Sequence, residues 1–95
     1  MELTEAIDAA VRAADKALAG EMRAADGQPA APHLERMRRD LLAMRARGAV
    51  DPDELRHMIR SVAGWAPEDD VSLLAALGLI ARAATGRTTG SGDGQ

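Results

Sequence analysis

Val71-Ser72-Leu73-Leu74-Ala75-Ala76-Leu77-Gly78-Leu79-Ile80-Ala81-Arg82-Ala83-Ala84 is the stretch that decides the fold of this chain. Only Ser72 and Arg82 in it are clearly polar, and its large apolar side chains surround a helical axis almost completely. Fourteen residues at the α-helical rise span about 21 Å, too short for a bilayer. A helix that is apolar on every side must be buried on every side. In a chain of 95 residues, three other helices cover part of it, and the remainder calls for a partner surface, most simply a second copy. The residues expected at that contact are Leu73, Leu77, Leu79 and Ile80, with Gly78 allowing close approach; Trp65, in the Gly-Trp-Ala-Pro turn, is expected either at the rim of the contact or as a cap on the end of the bundle.

Three further helices are predicted upstream. Leu3, Ile7, Ala10, Ala14, Leu18, Met22 and Ala25 recur at steps of three and four and predict a long first helix from about Thr4 to Asp26. Gly20 is a point where it can end early. Gly27, Pro29 and Pro32 mark the break that follows. The second helix starts near Pro32 and stops at Gly48, with Leu34, Met37, Leu41 and Met44 as its apolar stripe. The third opens at Asp51-Pro52-Asp53-Glu54, where Asp51 is the expected N-cap and Glu54 is placed to reach back to the cap amide. Leu55, Met58, Ile59 and Val62 form its inner face, and Gly64 is its expected stop. The fourth is predicted to begin at Pro67, with Glu68, Asp69 and Asp70 complementing the positive end of its dipole. Residues 1–84 thus read as one all-α domain, a small bundle of about four helices in which a long first helix joins a compact three-helix unit. Residues 85–95, rich in glycine and without large apolar side chains, read as a disordered tail.

Composition agrees with this class. Of the apolar residues 21 are alanine, Trp65 is the lone aromatic, and cysteine is absent, so β-sandwiches, disulfide scaffolds, thiol catalysis and Cys-based zinc sites are excluded. The N-terminus is acidic where a signal peptide is basic, which makes the cytoplasm the expected location. Eleven arginines to one lysine, with so much alanine, point to a GC-rich bacterial genome and say nothing about activity.

Charge is unevenly placed along the chain. Residues 1–26 carry six acids and three bases, whereas residues 27–48 carry two acids and five arginines, within a total of −3. Those arginines, Arg36, Arg38, Arg39, Arg45 and Arg47, are the best nucleic-acid feature present, since guanidinium forks suit phosphate. The simpler reading is a solvated face with local pairs, Glu35–Arg39 and Arg36–Asp40, and with Asp8–Arg12 doing the same on the first helix. A helix-turn-helix that reads DNA with the fourth helix is excluded, because its leading turn would aim three carboxylates at phosphate.

Other chemistry is thin. Gly48 to Met58 carries letters found in the second half of an EF-hand, but the first, third and fifth ligand places fall on Ala43, Arg45 and Arg47, so calcium is not expected. Glu54 and His57 make an E-x-x-H step used in di-iron bundles, yet the additional inward glutamates are missing. No metal, cofactor, small-molecule substrate or membrane partner is expected, and no catalytic constellation stands out. The function expected is non-catalytic protein–protein interaction with another protein or with itself, as an adaptor, regulator or small subunit. The alternative is a small antitoxin-like regulator holding nucleic acid on the second helix.

Overall fold

The computed structural model describes residues 2–92, with side chains through Ala84. Four helices follow one another: α1 (Leu3–Ala19), α2 (Ala31–Arg47), α3 (Pro52–Trp65) and α4 (Ser72–Gly92). Among the described residues there is no strand, only an isolated bridge between Arg23 and Pro29. The expected Gly-rich tail, 85–95, falls on residues whose side chains, or whole placement, lie outside the described residues.

Each boundary has a local cause. Asp51 is the N-cap of α3 and its carboxylate accepts the Asp53 amide at 2.9 Å, with Pro52 in the first turn. Gly48 ends α2 in the left-handed conformation, φ 71°, and its N–H closes on the Met44 carbonyl at 2.9 Å. α1 stops at Ala19 rather than Asp26, because Gly20 breaks the periodicity and Glu21 turns the chain at φ 53°. The segment from Met22 to Ala30 is therefore an ordered loop, tied by Ala30 N–H to the Met22 carbonyl and by Ala24 N–H to the Gln28 carbonyl. Gly64 does not end α3, which runs on to Trp65. α4 begins at Ser72 and not at Pro67; residues 67–70 form a turn instead, closed by Asp70 N–H on the Pro67 carbonyl. Asp70 then plays the capping part, accepting both the amide and the hydroxyl of Ser72.

α1 packs against both α2 and α4, and α3 packs against α4. The alanines of α1 make this central position workable. Ala6, Ala10 and Ala14 are fully buried beside Ile7, and such small side chains let two neighbours come close. Leu34, Met37, Leu41 and Met44 of α2, Leu55, Met58 and Val62 of α3, and Leu73, Leu77 and Ile80 of α4 join Ala6, Ile7 and Ala10 in one buried cluster. Burying each large side chain of this set contributes about 1.5–3 kcal/mol relative to exposure. Among the described residues no charged or polar side chain is buried, so specificity rests on shape and on what lies at the surface.

Candidate functional site

Three of the residues expected at a partner contact belong instead to the chain's own core. Leu73, Leu77 and Ile80 are 1%, 0% and 0% exposed, enclosed by the helices packed on α4. Successive residues turn 100° about a helix axis, which puts positions 73, 76, 77, 80 and 83 on one side and 71, 75, 78 and 82 on the other. The inner set is buried throughout; Val71, Ala75 and Arg82 are exposed, and Gly78 is partly so. Leu74 and Leu79, half-buried, border this outer face on its two flanks. Val71 is 65% exposed, the more exposed of the two large apolar side chains left open to solvent among the described residues. The chain thus buries one side of its most apolar helix, packs Leu74 and Leu79 partly against that core, and leaves Val71, Ala75 and Arg82 open.

Trp65 is not at the rim of that face. Its ring stacks on His33 with centroids 4.9 Å apart and planes 12° from parallel, and its carbonyl accepts the Ala25 amide at 2.8 Å. It joins α3 to the start of α2 and to the loop after α1, closing that end of the bundle. At the opposite end of the same seam Arg47 bonds Glu54 at 2.7 Å. This pairing replaces the expected return of Glu54 to the Asp51 amide, since the arginine at the end of α2 lies within reach and offers a charged donor.

Between those two ties, α2 and α3 stand apart over a cleft of about 240 Å³. Met37, Met58 and Val62 form its floor, and Arg36, Asp40, His57 and Ser61 stand along its walls. Helical spacing assembles it: 33, 36, 37 and 40 share one face of α2, and 54, 57, 58, 61, 62 and 65 share one face of α3. Asp40, Ser61 and His33 were not singled out from sequence as members of one cleft, although the two stripes carry the signal once an antiparallel pair is assumed. Glu54 and His57 both line it, but no group of three or more metal-binding side chains forms among the described residues.

The arginines of α2 find carboxylates on other helices. Arg38 bonds Asp15 and Arg45 bonds Asp8, each at 2.6 Å through Nε, which ties α2 to α1. With Arg47 on Glu54, three of the five are paired across helix boundaries. Arg36 and Arg39 make no ion pair among the described residues; the expected Glu35–Arg39, Arg36–Asp40 and Asp8–Arg12 contacts do not close. Asp8 turns to Arg45 because that arginine lies across the α1–α2 seam, where the fork meets the carboxylate without bending along its own helix.

At the start of α4, the Asp70 carboxyl titrates below the usual carboxylate range. The Ser72 hydroxyl hydrogen bond is the main cause and the Ser72 amide the next. Beside it Glu68 and Asp69 are exposed, so an acidic corner precedes one end of the outer α4 face and Arg82 stands near the other. No helix formed by the described residues is long and apolar enough to cross a membrane. No family model, curated protein or solved structure matches this chain.

Proposed function

We propose that this chain is a non-catalytic protein–protein interaction module, an adaptor, regulator or small subunit of an assembly, and that it takes its partner on the outer face of α4. One observation carries the reading. From Val71 to Ala81 the outer side of α4 holds Val71, Ala75 and Gly78, flanked by the half-buried Leu74 and Leu79, without a charge among them. A helix side left to water ordinarily carries charge, as α2 does in the same molecule with Glu35 and Arg39. An uncharged strip bordered by charge at both ends is the composition of an interaction surface.

The alternative, nucleic acid on the arginines of α2, draws less support, because Arg38, Arg45 and Arg47 are already engaged by carboxylates.

The test compares two glutamate substitutions at exposed alanines, Ala75→Glu on α4 and Ala46→Glu on α2. Both variants are expected to keep the helical circular dichroism of the parent. Only Ala75→Glu is expected to lose the proteins that the tagged wild type retains on affinity beads. Equal retention by the two variants overturns the assignment of the face.

A further inference from the structure

We infer that the occupant of the α4 face is the same face of a second copy, laid antiparallel across a two-fold axis between Ala75 and Gly78. This rests on the reading of that face as an interaction surface and adds the identity and orientation of the partner.

Gly78 supplies the first argument. It lies inside α4, where glycine is less favourable than alanine by about 0.8–1 kcal/mol. A Cβ built there meets nothing within 4 Å, and no positive φ requires glycine at that position. The packing of the chain on itself therefore gives no reason for the missing side chain. The close approach of an outside helix does, and Ala75, one turn before it on the same face, is the next smallest residue available.

Charge supplies the second argument, independent of the first. Among the described side chains the face has a single cation, Arg82, near one end, and the carboxylates of Glu68, Asp69 and Asp70 cluster in the turn before the other. Arg82, Glu68 and Asp69 have no ion-pair partner among the described residues, and Asp70 is committed to Ser72. Measured along the axis from the midpoint of Ala75 and Gly78, Arg82 lies at about 8 Å and the first residue of the helix, Ser72, at about 7 Å in the opposite direction, with the acidic turn just before it. A two-fold axis through that midpoint brings Arg82 of each copy beside the acidic corner of the other, twice per dimer. A parallel arrangement sets Arg82 against Arg82 and the acidic corners against each other. Electrostatics thus selects the antiparallel, isologous form.

The experiment uses two complementary charge reversals in the full chain. One is Arg82→Glu; the other combines Glu68→Arg with Asp69→Arg. All three positions are exposed, and circular dichroism checks that both variants stay folded. Wild type is expected to sediment as a dimer at about 100 µM, with each variant alone weakened about tenfold or more. An equimolar mixture of the two variants is expected to recover the dimer, and native mass spectrometry to show one chain of each kind in it. In that mixed dimer both contacts are attractive, whereas each variant alone has two repulsive ones. A mixture that stays monomeric beside a dimeric wild type overturns the antiparallel pairing. A wild type that stays monomeric overturns the second copy as occupant, and the bead experiment with Ala75→Glu then still decides whether the face serves a different protein.

Discussion

α2 and α4 both pack on α1 and bury equivalent stripes, yet their outer sides have opposite character. On α2 the exposed side is charged, and its cations reach Asp8, Asp15 and Glu54 on neighbouring helices. On α4 the corresponding side is uncharged from Val71 to Ala81, although its inner side is packed as completely. The difference teaches that a surplus of apolar residues on a helix divides into a part the fold uses and a part it leaves over. Only the second part bears on partners.

The largest expected effect probes the inner sides, where the helices should not differ. Leu41→Ala on α2 and Leu77→Ala on α4 both remove fully buried side chains and should each cost about 2–5 kcal/mol. In thermal melts of a domain this small, that is a fall of about 10 °C or more. Leu79→Ala, on the half-buried flank of the outer face, should cost about 1 kcal/mol or less while weakening self-association in sedimentation. If Leu79→Ala melts as low as Leu77→Ala, the division of α4 into a used and a spare half is wrong.

The next effect sets one glycine of each helix against the other. Gly48 sits at φ 71° at the end of α2, where an L-residue is strained, so Gly48→Ala should destabilise by about 1 kcal/mol. Gly78 is helical with open space where its Cβ would stand. Gly78→Ala should stabilise the single chain by about 0.5–1 kcal/mol and loosen the pair. Denaturation at low protein concentration reads the first quantity, and sedimentation at high concentration the second. Opposite signs at the two positions sharpen the contrast; a loss of chain stability at both removes it.

A smaller effect tests whether the charges of α2 matter to the fold. The Arg45–Asp8 pair is 48% and 36% exposed by side chain. Exposed pairs of this kind contribute about 1 kcal/mol or less. A double-mutant cycle of Arg45→Ala and Asp8→Ala should return a coupling in that range that shrinks with salt. The outer side of α2 then serves solubility and register more than strength.

Much of this was legible in the residues. The all-α class, four helices, the Asp51 cap and the Gly48 stop follow from alanine content, period and turn chemistry, each a local signal. What the sequence did not disclose is which side of α4 faces in. α2 announces its outer side with arginines, but from Val71 to Ala84 only Ser72 and Arg82 are polar, too few to mark a side, so Leu73, Leu77 and Ile80 read as spare when they are core. The start of α4 was misplaced for a related reason. Pro67 and three acids resemble a first helical turn, and only the Asp70–Ser72 bonds show that the turn precedes the helix. The α2–α3 cleft is not legible from sequence because its members lie on two helices whose facing is a tertiary fact; only the Glu54–His57 spacing, within one helix, is a local signal.

The smallest effect concerns the beginnings of the same two helices. α2 starts behind Ala30, an N-cap without a capping side chain, whereas α4 starts under the Asp70 carboxylate. Asp70 is depressed by the Ser72 hydroxyl and amide, so in the folded chain it holds its charge to lower pH than in the unfolded chain. The stability it adds is therefore fully present above the ordinary carboxylate range and is lost as pH falls through the depressed folded value. Ser72→Ala removes the hydroxyl, the larger cause, and keeps the amide. Its Asp70 should titrate closer to an ordinary carboxylate, and it should lose less stability than wild type between neutral and acid pH. A carboxyl-detected NMR titration of Asp70 reads the first and acid denaturation the second. Because Asp70 is largely open to water, the stability difference is small beside any core substitution, and the titration is the more decisive measurement. An unmoved Asp70 titration in Ser72→Ala means that the amide alone holds the Asp70 carboxylate and that the side chain at residue 72 contributes nothing to the start of α4.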